Sequence, residues 1–89
     1  VTAKHVVVHG GVQGVGFRWF AREEAARLCI TGWIRNRDDG TVEAVVDGDD
    51  AAVDAMVAWF RVGPPEASVT AVDVTKTDAA PSTGFSIER

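Results

Sequence analysis

Gly10-Gly11-Val12-Gln13-Gly14-Val15-Gly16-Phe17-Arg18 sets four glycines within seven residues and ends on an arginine. A valine-rich run precedes it and an amphipathic run follows, so the chain turns there from strand to helix. Glycine lets a backbone bend sharply and exposes its N–H groups with no side chain in the way. A helix start adds unpaired N–H groups and the positive end of the helix dipole. Together they make a cradle for an anion, of which phosphate is the commonest. Arg18 adds a planar fork able to hold two phosphate oxygens. The plain alternative is a tight strand-to-helix turn carrying a surface arginine.

The flanking patterns place the loop in a fold. Lys4 to His9 reads as a strand, with Val6 and Val8 on one side and His5, Val7 and His9 on the other. Phe17 to Leu28 reads as a helix whose apolar stripe is Phe17, Phe20, Ala21, Ala25 and Leu28. Thr31 to Arg37 and Thr41 to Asp47 read as a hairpin turned by Asp38-Asp39-Gly40. Val42, Ala44 and Val46 are its core-facing row. A second helix starts by Asp49 and Asp50, which suit capping and the dipole. It buries Val53, Met56, Val57 and Phe60, and stops at Gly63-Pro64-Pro65. Ser68 to Thr77 reads as a strand with Val69 and Ala71 opposite Val72 and Val74. Ala79 to Ser82 reads as a loop, and Phe85 to Glu88 as a short last strand. The order βαββαβ is the split βαβ, ferredoxin-like α+β arrangement: an antiparallel sheet with both helices on one face.

Eighty-nine residues suit one domain, 1–89, with a modest core. The net charge of −4 argues against a nucleic-acid partner, whose binders carry a basic face. Positive potential at the loop is therefore local. The single cysteine, Cys29, forms no internal disulfide, which fits the cytoplasm. No apolar run reaches membrane-spanning length, so no membrane partner is expected.

Known phosphate loops narrow the chemistry. The dinucleotide fingerprint orders its glycines G-x-G-x-x-G, whereas Gly11, Gly14 and Gly16 run the other way. Gly11 and Gly16 have the outer spacing of a nucleotide-binding loop, but Phe17 and Arg18 replace its Lys and Ser/Thr. Val12 stands where a thiol phosphatase needs its cysteine. The loop thus offers donors without a nucleophile or metal ligands. His5 and His9 share a face but lie about 13 Å apart along a strand, too far to share one ion. They read as solvent-facing. Trp19, Trp33 and Trp59 read as core or half-buried packing, and Arg35 and Arg37 as sheet-face charges. Asp47, Asp49, Asp50 and Asp54 lack the glutamate of a calcium loop, and helix capping explains them better.

Asn36 closes the core-facing row of its strand. An amide there is costly without partners or a task. It suits holding a water near the loop, or else bonding the hairpin backbone.

Gly14-Val15-Gly16-Phe17-Arg18, then Gly32-Trp33-Ile34-Arg35-Asn36 and Gly40-Thr41-Val42-Glu43, resemble the acylphosphatase family over nearly the whole chain. Gly63-Pro64-Pro65 and Phe85-Ser86-Ile87 extend the likeness. The resemblance implies a small stand-alone enzyme that hydrolyses acyl phosphates to a carboxylate and inorganic phosphate. It implies phosphate binding by the backbone of Val12, Gln13, Gly14, Val15, Gly16 and Phe17 together with Arg18. It matches Arg18 and Asn36 to the catalytic pair, Asn36 positioning the water. No cofactor or metal is expected, and the small-molecule acyl phosphate is the partner of a monomer, with phosphate or other anions as product or inhibitor. Two alternatives stand beside it: an acylphosphatase-like domain of a larger carbamoyl-transferring maturation protein, and a non-catalytic anion-binding module. The former precedes zinc-binding cysteine motifs, which this sequence does not show. Two residues depart from the pattern. Gly11 stands where a side chain is common, and Cys29 where a left-handed glycine ends the first helix.

Overall fold

Alternating valines and two apolar stripes at helical spacing specify one sheet and two helices. The computed structural model, describing residues 1–78 and 83–88, contains that set. In chain order it runs β1 (Thr2–Gly11), α1 (Phe17–Leu28), β2 (Thr31–Asn36), β3 (Val42–Gly48), α2 (Asp50–Val62), β4 (Ser68–Lys76) and β5 (Phe85–Ile87). The strands lie in the order β4-β1-β3-β2-β5. The expected antiparallel pairing holds across β4, β1, β3 and β2. The edge strand β5 departs from it and pairs parallel to β2, so the sheet is mixed. The Ala79–Ser82 loop lies outside the described residues.

Strand alternation sends Val6, Val8, Ile34, Val42, Ala44 and Val46 to the helix side, where all are buried. Phe17, Ala21 and Ala25 of α1 and Val53, Met56 and Phe60 of α2 complete that core. Each buried Val, Ile, Met or Phe side chain contributes about 1.5–3 kcal/mol of transfer free energy. The aromatic centre is ordered: Phe17 stacks on Phe60 at 5.9 Å between centroids and meets Trp59 edge-on at 5.3 Å. Trp59 and Trp33 are half-buried, as expected, whereas Trp19 is 50% exposed, against the expectation of core or half-buried packing. No helix among the described residues is long and apolar enough to cross a membrane.

Three local details differ from the sequence reading. First, β1 continues through both leading glycines. Between His9 and Gly10 its partner steps from Ala71 to Val69, leaving Thr70 as the extra residue of a bulge. The bulge reverses the phase of β4, so Val69 joins Val72 and Val74 against the core instead of siding with Ala71. Second, Asp49 precedes α2 without a capping hydrogen bond from its side chain, so only the dipole argument holds for it. Third, Phe20 is not part of the buried stripe. It lies about 60° around the helix from Phe17, and 40% of it is exposed.

Helix α1 ends as the sequence departure anticipates. Cys29 is left-handed at φ 57 and ψ 39. Its N–H donates to the Ala26 carbonyl and that of Ile30 to Ala25, the paired bonds of a Schellman turn.

Candidate active site

The bulge delivers the chain from β1 into the glycine loop. Gly10 sits at φ +120, and a Cβ there would lie 2.0 Å from the Ser68 carbonyl oxygen. Only glycine lets the two strands approach this closely. Val12 is buried and donates its N–H back to the Gly10 carbonyl at 3.0 Å. Gly14 and Gly16 both stand at φ +75, which other residues adopt at a cost of about 1–2 kcal/mol. Left-handed residues interleaved in this way are the backbone pattern from which anion-binding nests are built.

Helix α1 starts directly after Gly16. No side chain caps it and no acidic residue lies in its first turn. Its N-terminal donors and the positive end of its dipole therefore face outward at the loop. Arg18 is the second helical residue and is half-buried. Among the described residues it has no hydrogen-bond or ion-pair partner, whereas Arg27, Arg35 and Arg37 pair with Glu24, Glu43 and Asp39.

Asn36 ends β2 opposite Val42. It is half-buried, on the same strand face as the buried Ile34. Arg35, Asn36, Arg37, Asp38 and Asp39 line a shallow open depression there. The turn beyond it is tightly bonded. The Arg37 N–H donates to the Thr41 carbonyl at 2.9 Å. Asp39 Oδ1 accepts from the Thr41 hydroxyl at 2.6 Å and from its N–H at 3.0 Å. Those bonds, from the hydroxyl first and the backbone second, hold the Asp39 carboxyl below the usual carboxylate range.

Gln13 joins the two halves. Its side-chain amide donates to the carbonyls of Arg37 at 2.7 Å and Thr41 at 3.0 Å. The loop is thereby tied to the hairpin one residue past Asn36. From the sequence, Gln13 counts for its backbone alone. The available signal was its amide, the one long polar side chain between Gly10 and Gly16.

The remaining candidates fall elsewhere. His5 and His9 lie on the open face of the sheet, paired with Glu43 at 2.6 Å and Asp73 at 2.9 Å. Arg35 also bonds Glu43 at 2.6 Å and sits 5.6 Å from the Trp33 ring centroid. Among the described residues no group of three or more His, Cys, Asp or Glu is placed to hold a metal ion.

Comparison with known proteins finds relatives of the chain in sequence and in fold. The acylphosphatase family model matches residues 4–87. The chain is 55% identical over 74 residues to an acylphosphatase of Thiobacillus denitrificans, covering 83% of each chain. It is 47% identical over 83 residues to one of Thermococcus kodakarensis, covering 93% of this chain and 91% of the relative. The crystal structure of acylphosphatase from Bacillus subtilis superposes with a TM-score of 0.94 at 37% identity, covering 100% of both chains.

Proposed function

Because the chain belongs to the acylphosphatase family and hydrolyses acyl phosphates to a carboxylate and inorganic phosphate, we propose that Arg18 and the backbone of Val12 to Phe17 hold the phosphoryl group while Asn36 orients the attacking water. The Val12 N–H is itself bonded to the Gly10 carbonyl, so the donors are those of Gln13 to Phe17. The observation that carries this assignment is the Gln13 tie, which fixes an uncapped, glycine-rich helix start beside the hairpin that bears Asn36.

An acyl phosphate is an anhydride whose leaving group is a weakly basic carboxylate, so departure needs little acid help. The water oxygen attacks phosphorus opposite the acyl oxygen. The bond from phosphorus to that oxygen breaks, the electron pair leaves with the carboxylate, and the water's proton passes to a phosphoryl oxygen. The loop N–H groups and Arg18 stabilise the charge on the phosphoryl oxygens, and Asn36 keeps the water in line. Positioning and electrostatics then supply most of the rate. No covalent intermediate and no metal enter this scheme. The reading extends to a monomer in the cytoplasm.

Benzoyl phosphate hydrolysis in EDTA, for the wild type beside Arg18→Gln and Asn36→Ala, tests the assignment. Arg18→Gln abolishes turnover through both binding and chemistry. Asn36→Ala lowers kcat with KM little changed, because its contact belongs to the transition state. Near-normal kcat in Asn36→Ala removes that residue from the mechanism. An inactive, folded wild type overturns the whole assignment.

A further inference from the structure

Trp19 and Phe20 occupy the first turns of α1, and they are 50% and 40% exposed. Their rings meet edge to face with centroids 5.0 Å apart. The other exposed large apolar residues among those described are Val1 and Val62, at the start of the chain and the end of α2. The aromatic pair is placed differently. A Cβ built on Gly16 would lie 3.4 Å from two carbons of the Phe20 ring. The ring therefore flanks the last glycine of the loop, and part of the aromatic pair is exposed beside it.

An acyl phosphate held by its phosphate end leaves only its acyl substituent to extend away from the cradle. That substituent begins one bridging oxygen from phosphorus. Phe20 stands four residues, ~6 Å, along the same helix from Gly16. We propose that Phe20, steadied by the edge of Trp19, forms the acyl-facing surface of the site. The enzyme accordingly favours acyl phosphates bearing an aromatic or bulky apolar acyl group over acetyl and carbamoyl phosphates. This inference rests on phosphate being held by the Val12–Phe17 backbone and Arg18. The cradle itself discriminates poorly among acyl ends, so selectivity falls to the neighbouring ring.

The test compares kcat/KM for benzoyl phosphate and acetyl phosphate in the wild type, Phe20→Ala, Phe20→Leu and Trp19→Ala, with inhibition by inorganic phosphate measured on each. Comparing the ratio across variants cancels the different intrinsic reactivities of the two substrates. Phe20→Ala is expected to lower the benzoyl value about tenfold, mainly through KM, and the acetyl value about twofold. Phe20→Leu restores part of the benzoyl value, Trp19→Ala gives a smaller loss than Phe20→Ala, and phosphate inhibition is retained throughout. A benzoyl-to-acetyl ratio equal in Phe20→Ala and the wild type overturns the inference and leaves the exposed pair to a different role, such as protein docking. Phosphate inhibition that weakens in step with the benzoyl value also overturns it, because Phe20 then shapes the cradle. Failure of the wild type on both substrates sinks the acylphosphatase assignment beneath it as well.

Discussion

Gln13 and Arg37 stand 24 residues apart, and the side-chain amide of the first donates to the carbonyl of the second at 2.7 Å. The same nitrogen reaches the Thr41 carbonyl at 3.0 Å. Gln13→Leu keeps the length of the side chain's first segment and removes both bonds. Water replaces part of the loss at this half-exposed position, so the net destabilisation is about 1 kcal/mol, or a fall in Tm of about 4–8 °C for a domain of this size. Turnover falls more than stability suggests, about tenfold, because the loop and Asn36 lose their fixed separation. Thermal melts and steady-state kinetics check both. Lower Tm with unchanged kcat limits the tie to a structural role.

Cys29 is the one non-glycine residue with positive φ among those described. The left-handed conformation costs a side-chain-bearing residue about 1–2 kcal/mol, and glycine gives back part of that through its freer unfolded chain. Cys29→Gly is therefore expected to raise stability by about 0.5–1 kcal/mol, with kcat and KM unchanged. Urea denaturation measures the gain, and a lower midpoint contradicts the strain argument.

Neighbouring glycines separate sterically. Gly10→Ala places a methyl 2.0 Å from a backbone oxygen, whereas at Gly11 the nearest atom is the Ser68 Cβ at 3.6 Å. The first substitution forces β1 and β4 apart and costs about 3 kcal/mol or more. The second stays within about 0.5 kcal/mol of the wild type. Paired melts distinguish them. A stable Gly10→Ala variant contradicts the close approach at the bulge.

Glu43 links stability to pH. Burial pushes its carboxyl up, but hydrogen bonds from His5 and Arg35, with the Arg35 and His5 charges behind them, together outweigh burial and hold it below 4.5. A carboxyl depressed in the folded state stabilises fully above its unfolded pKa, and that contribution is lost as pH falls through the folded value. The Tm advantage of the wild type over Glu43→Gln should therefore shrink as pH drops below 4.5. An advantage that persists unchanged into strong acid contradicts the pairing.

The features readable from sequence were those set by local chemistry. The phase of Phe17, Ala21 and Ala25 places α1, and the resemblance adds its left-handed end, where Cys29 stands at a position the family gives to glycine. Asn36 is legible because an amide in a core-facing row needs a reason. What stayed hidden depends on how distant segments meet. The parallel β5 rests on a three-residue pairing with β2. The phase of Val69 is reversed by an extra residue visible only against β1. Phe20 belongs to the apolar stripe by spacing, and only the fold shows its ring turned out beside Gly16. The Gln13 tie shows in sequence only as a lone long amide in the loop, since its acceptors are main-chain carbonyls of the later hairpin.

Phe17 closes the glycine loop and also anchors the aromatic centre between the helices, against Phe60 and Trp59. One residue thus belongs to both the proposed cradle, through its backbone, and the interior, through its ring. A substitution deep in α2, remote from any substrate, reaches the cradle by loosening that stack. Turnover is in that sense a gauge of interhelical packing as well as of the loop.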